Sequence, residues 1–257
     1  MTLHYPAPET RNGSFGETLD VLREVEGWLT DTQARRLWER ACALPSPGQI
    51  VEIGSFRGRS TIVLARAAPE GVEVVAIDPH AGTDRGPREW VTSDELGERD
   101  RLHFEANVQQ AGVAARIRHV RQRSQDALDD VAGEVNLLYV DGAHRYPLVR
   151  DDLRDWGARV PPGGTLLVHD AFSSVGVTLA LLRLMVFASD WSWHGRTGSL
   201  AEYRREPVRG AARLRGTLGQ LAQLPWFARN LLVKTALVLR LRPLARALGH
   251  RSNPWHY

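Results

Sequence analysis

The 257-residue sequence predicts an α/β chain: a doubly wound, mainly parallel sheet with N-terminal helices and a C-terminal helical appendage. Three observations predict it. Short apolar runs of strand length recur as IVEIG, VEVVAID, VNLLYVD and GGTLLVHD. Segments of helical periodicity separate them, the alternation that builds parallel sheets with helices on both faces. Each run also ends in a glycine or an acid, and in such sheets ligands gather beyond the carboxyl ends of the strands.

The elements follow in order. Residues 1–15 are polar, carry Pro6, Pro8 and Gly13, and read as a loose arm. From Gly16 to Ala43, Leu19, Leu22, Val25, Leu29, Leu37, Trp38 and Ala41 recur at helical spacing, in two helices broken near Thr30–Asp31. Ile50–Gly54 is a buried strand, and STIVLARAAP a helix stopped at Pro69. Val72–Asp78 is a strand ending in an acid. Residues 79–99 form a loop rich in Pro, Gly and charge, whose part 78–90 is too long for a plain connection and reads as a lid. DRLHFEANVQQAG is a helix and RIRHVRQ a strand, and SQDALDDV opens a helix with Ser124 as N-cap. VNLLYVD is a strand ending in Asp141, YPLVRDDLRDWGARV a helix, and Gly163–Asp170 a strand. A helix over Val175–Phe187 and short strands at Trp191–His194 and Leu200–Tyr203 complete the unit. The organisation is thus an N-terminal arm with helices over 1–44, a core domain over 45–206 and a basic helical tail over 207–257.

Composition narrows the class. Hydrophobic residues at 43% and charged residues at 25% are ordinary for a globular protein. A single cysteine, Cys42, allows no internal disulfide. No signal peptide is legible at the N-terminus, and no run reaches the ~18 apolar residues of a spanning helix. The expected compartment is the cytoplasm.

The segment VEIGSFRGRST places Glu52, Gly54, Ser55, Gly58 and Ser60 between a strand and a helix. It lacks the G-x-G-x-x-G of a dinucleotide site and the G-K-[ST] of a P-loop. The relaxed E-x-G-x-x-x-G spacing suits a cofactor without phosphate, and Asp78, ending the next strand, is an acceptor for ribose hydroxyls. With AID, RSQDAL and PPGGTLLVHD in order, these residues resemble the class I S-adenosylmethionine (SAM)-dependent methyltransferases, over about residues 45–205. The resemblance implies their Rossmann-like fold, SAM as cofactor, and Ser124 and Asp126 flanking the adenine. A generic βαβ unit whose glycines only turn the chain is the plain alternative.

DGAHRY (Asp141–Tyr146) and VHD (Val168–Asp170) end adjacent strands, so Asp141, His144, His169 and Asp170 should converge beside the glycine loop. Carboxylates suit Mg²⁺, which would lower the pKa of a bound hydroxyl, and a histidine titrating near neutrality could take its proton. This arrangement resembles the metal-dependent O-methyltransferases of the macrolide-sugar and cephalosporin-hydroxylase-related group. That likeness implies a divalent metal on Asp141, His169 and Asp170, His144 as general base, and a sugar or other small-molecule hydroxyl as acceptor. His169 departs from the group's acid, which weakens the site by one charge or favours a softer ion. In the plain reading His144 only opens a helix and His169 is a core histidine. The other functions left open are a metal-free enzyme acting on a small phenol or nitrogen acceptor, and a non-catalytic binding module.

After Glu206 the chain has no acid, while leucines and arginines alternate. Such a tail fits an interfacial helix on an anionic membrane, or a packing helix that seals a homo-oligomer. No nucleic-acid module is present, and no nucleic-acid partner is expected.

Overall fold

A computed structural model describes residues 13–82 and 92–249. Helix α1 (Phe15–Leu22) and α2 (Asp31–Cys42) open it, each starting in a capping box, Ser14 with Glu17 and Thr30 with Gln33. Strand β1 (Gly48–Ile53), α3 (Arg59–Ala67), β2 (Val72–Ile77), α4 (Asp94–Gln110) and β3 (Ile117–Val120) form the first half. Strand β4 (Leu137–Val140), α5 (Tyr146–Asp155), β5 (Thr165–Val168), α6 (Val175–Leu184), β6 (Trp191–Thr197) and β7 (Leu200–Arg205) form the second. The tail folds as α7 (Gly210–Leu221), α8 (Leu224–Val238) and α9 (Arg242–Ala247).

The seven strands lie in the order β3-β2-β1-β4-β5-β7-β6. The first five are parallel, and β7 runs antiparallel to both β5 and β6. The expected doubly wound α/β architecture is therefore present. The period of two sorts the strand residues onto two cores. Ile50, Val74, Leu137 and Tyr139 face α1–α4, whereas Val51, Val75, Leu138 and Leu166 face α5 and α6. Because both faces are covered, β4 and β5 are buried at every position and read as continuous apolar runs.

Arg59 holds the N-terminal helices over the rim. Its guanidinium donates to the carbonyls of Leu22, Val25 and Leu29 at 2.5, 2.6 and 3.2 Å. Arg116 does the same for the end of α3, donating to the carbonyls of Ala65, Ala68 and Pro69. Both replace partners that helix ends and loops would otherwise seek in water.

Several boundaries differ from the sequence reading. α4 begins at Asp94, capped by Ser93, several residues before the expected start at Asp100. The helix expected from Ser124 is a single 3₁₀ turn over Asp126–Leu128. Ser124 does not cap it, because its hydroxyl donates to Asp152 instead. The expected arm lies mostly outside the described residues, as do residues 83–90 of the expected lid. Trp193 packs edge-on against Phe172 and Tyr203, with α7 alongside at Gly219.

Candidate active site

The carboxyl ends of β1, β2 and β4 are laced together by backbone bonds. Gly54 N donates to the Ile77 carbonyl and Asp141 N to the Ile53 carbonyl, both at 2.8 Å. Gly54 has φ +87°, and a Cβ there would stand 2.3 Å from the Asp141 carbonyl oxygen. Only glycine permits both that backbone conformation and that approach. The turn then runs through Ser55 and Phe56 to Gly58, which caps α3 without a side chain.

Asp78 anchors this turn. Its Oδ2 accepts from Ser55 N at 3.0 Å and Phe56 N at 2.8 Å, and its Oδ1 accepts from His80 N at 2.7 Å. The carboxylate is fixed before any ligand arrives, and it still lines the cleft. Glu52 lies beneath. It is fully buried, accepts from the Ser60 and Thr61 hydroxyls, and does not line the cleft. Burial pushes its carboxyl up to about 8, against the two hydroxyls, with the Asp141 and Asp78 charges adding to the rise.

The cleft has a volume of about 440 Å³, within the ~300–1,000 Å³ usual for small-molecule sites. Gly54, Ser55, Ser60, Asp78, Ser124, Asp141 and His144 all line it. Gly58 lies just behind the lining, and Asp126 is exposed outside it. Gln125 lines the cleft in its stead. Ser124 and Gln125 both donate to Asp152, the latter at 3.0 Å, and burial pushes the Asp152 carboxyl up to about 7. The sequence reading also missed Trp28 and Leu29. They close the other wall, Trp28 stacking on Phe56 at 5.0 Å. Both belong to the connection that Arg59 pins, so the signal was a long-range one.

The second half of the rim is built from side chains. His144 Nε2 lies 3.0 Å from Asp170 Oδ2. His169 Nδ1 lies 3.0 Å from Asp141 Oδ1 and 3.8 Å from Asp170 Oδ2. Tyr139 donates to Asp141 Oδ2 at 2.7 Å. The four expected residues are thus in one cluster, with Asp141 and His144 on the cleft and His169 and Asp170 buried behind them. Burial would push the His169 imidazole down, but the Asp141 and Asp170 carboxylates outweigh it and hold it well above the ordinary histidine value. Burial likewise works to raise the Asp170 carboxyl, yet the His169 charge and the contacts of both histidines hold it well below the carboxylate range. Gly176 of α6 permits this packing, since a Cβ there would stand 2.1 Å from the His144 carbonyl oxygen.

The contacts in this cluster are pairwise. Among the described residues no three His, Cys, Asp or Glu side chains are grouped so as to hold a metal ion. Lys234 from the tail also reaches the neighbourhood, donating to the Ser173 carbonyl at 2.8 Å.

Residues 51–171 match the family model described as a methyltransferase domain. Over 128 residues the chain is 30% identical to the uncharacterised protein y4gI of Sinorhizobium fredii (strain NBRC 101917 / NGR234). That match covers 48% of this chain and spans only 13% of that protein's length. The O-methyltransferase TomG of Streptomyces achromogenes, solved with SAM, superposes with a TM-score of 0.52 at 19% identity, covering 79% of this chain and 92% of that one. An O-methyltransferase of Bacillus cereus, solved with SAH, superposes with a TM-score of 0.53 at 16% identity, over 79% and 92% of the two chains. At such identities the likeness establishes the shared fold.

Proposed function

We propose, from the match of residues 51–171 to a methyltransferase domain and the fold shared with SAM-dependent O-methyltransferases, that this chain methylates a hydroxyl of a small molecule with His144 as base. The single observation that carries the reading is the His144–Asp170 contact at 3.0 Å on the rim of a cleft whose other wall is the glycine turn and Asp78. The first half would hold SAM, with Asp78 accepting from its ribose hydroxyls and Ser124 and Gln125 lying beside its adenine. The acceptor occupies the half beside Asp141 and His144. The acceptor oxygen forms a bond to the methyl carbon as the sulfur–carbon bond breaks and its electron pair returns to sulfur. With His144 Nε2 committed to Asp170, the hydroxyl proton passes to Nδ1. Asp170 orients the ring and stabilises the imidazolium that forms.

The names of the two solved neighbours support oxygen as the acceptor atom, and the resemblance in D-G-A-H supports a sugar or glycosylated metabolite. Residues 45–206 form the catalytic unit in this reading. Proton transfer to His144 needs no step through the expected divalent cation, for which no group of three His, Cys, Asp or Glu side chains stands ready among the described residues. One observation favours a second reading with a metal. His169 Nδ1 stands 3.0 Å from Asp141 Oδ1 and 3.8 Å from Asp170 Oδ2, which is also how ligands of one cation stand toward each other. Asp141, His169 and Asp170 would then hold it, and it would acidify the hydroxyl.

Calorimetry with SAM, and turnover on a panel of sugar, phenol and amine acceptors with and without chelator, tests both readings. Turnover on a hydroxyl acceptor that survives chelation supports the first reading, and turnover abolished by chelation and restored by Mg²⁺ supports the second. Failure to bind SAM overturns both and leaves a binding module for another ligand.

A further inference from the structure

Twelve large apolar side chains stand exposed among the described residues. Eight lie in the segment from α7 to α9, Leu231, Leu232, Val238 and Leu239 among them, and Leu102 lies on α4. The remaining three, Val175, Leu179 and Phe187, lie on or just after α6. The tail is tied to that helix at both ends: Arg213 donates to the Phe187 carbonyl at 2.7 Å, and Asn230 to the Phe172 carbonyl at 3.3 Å. An exposed apolar concentration of this kind marks an interaction surface.

Charge decides the partner. No acid follows Glu206, and Arg209, Arg213, Arg215, Arg240, Arg242 and Arg246 are exposed among the leucines. A two-fold contact between copies would set this face against itself. Arginine would then meet arginine with no carboxylate in the segment to answer it, and like charges across an interface are costly. An anionic lipid surface supplies both missing complements, an apolar layer for the leucines and negative charge for the arginines. No described helix is long and apolar enough to cross a membrane, so contact would be in the interface plane.

We propose that α7–α9 are a docking face for an anionic membrane surface. The inner side of α8 holds the turn that follows the His169–Asp170 pair, by the Asn230 bond and by Lys234 on the Ser173 carbonyl. The docking itself does not depend on the methyltransferase reading.

The test is co-sedimentation of the full chain with vesicles of equimolar phosphatidylglycerol and phosphatidylcholine, against phosphatidylcholine alone, at low and high salt. The expected result is pelleting with the anionic vesicles only, reversed by salt. The triple variant R240Q/R242Q/R246Q should weaken partitioning about a hundred-fold, from roughly five-fold per charge, and L232S/L239S should weaken it too, both with unchanged melting and SAM binding. A chain that stays in the supernatant with anionic vesicles, or that binds neutral vesicles equally, overturns the proposal. So does a chain whose L232S/L239S variant falls from dimer to monomer with vesicle binding unchanged, which would make a second copy the occupant.

Discussion

At the β1–β2 side of the rim, backbone N–H groups converge on one carboxylate, whereas at the β4–β5 side, side chains meet side chains. Asp78 is held by three main-chain donors whose positions follow from the strand register and the turn. The acid–imidazole cluster depends on rotamers of Asp141, His144, His169 and Asp170, and on α6 and α8 packed behind them. A site held by backbone is rigid and tolerant of its neighbours' identity. One held by side chains is chemically tunable and sensitive to each residue. In the proposed reading the division suits a cofactor half that must bind one ligand and an acceptor half that must do chemistry.

The largest effect that would sharpen this contrast is a separation of turnover from cofactor binding. His144→Ala should lower kcat by about 10²–10⁴-fold, the usual worth of a positioned base. SAM affinity should stay within about two-fold, since proton transfer to the imidazole plays no part in holding the cofactor. Single-turnover kinetics beside calorimetry checks it. If SAM affinity falls as steeply as turnover, the two halves are one mechanical unit and the comparison fails.

Asp78→Ala should act on the other side. It removes the acceptor for the ribose hydroxyls and also strands three backbone donors. Hydrogen bonds to a charged group contribute ~1.5–3 kcal/mol each, so SAM affinity should fall about a hundred-fold or more. Asp78→Asn keeps one acceptor oxygen and should recover part of the loss. Calorimetric titration of both variants reads the difference, and unchanged affinity in Asp78→Ala would remove the carboxylate from the cofactor site.

These contrasts explain what was legible. The strands were legible because burial on both faces forces continuous apolar runs, and the turn because its glycines have no substitute. The acids at the strand ends were placed correctly by alternation alone. The start of α4 was not, because Asp94–Asp100 is charged and shows no apolar period before Leu102. Asp152 and Trp28 were hidden for another reason: their roles arise from tertiary contacts with Ser124 and Phe56, which no local pattern encodes. Glu52 was read as a cofactor contact because it sits in the motif, yet it braces the turn from beneath.

That brace gives a pH prediction of moderate size. Burial first of all raises the folded-state carboxyl of Glu52 to about 8, from an ordinary value near 4.5. The folded protein therefore keeps a proton that the unfolded chain gives up, so stability falls as pH rises from about 4.5 toward 8. Glu52→Gln keeps the buried hydrogen-bonding shape without the ionisation. Denaturant unfolding at the two ends of that window should show a smaller pH dependence for Glu52→Gln than for the native chain. Parallel curves would mean that the Ser60 and Thr61 hydroxyls already satisfy the ionised form.

The smallest effect tests the border of the cofactor half. Motif likeness places Asp126 beside the adenine, but its side chain is exposed on the one-turn 3₁₀ helix and does not reach the cleft, whereas Gln125 does. Asp126→Ala should therefore change SAM affinity by less than about two-fold, within the ±0.5 kcal/mol typical of surface substitutions. Gln125→Ala should weaken SAM several-fold, because it removes a donor on Asp152 as well as a wall of the cleft. Measured side by side, the pair asks whether the adenine wall is set by position in the motif or by what the loop after β3 turns inward. A larger loss from Asp126→Ala than from Gln125→Ala would mean that ligand binding rewinds this loop, and the cofactor half would then be less rigid than its backbone bonds imply.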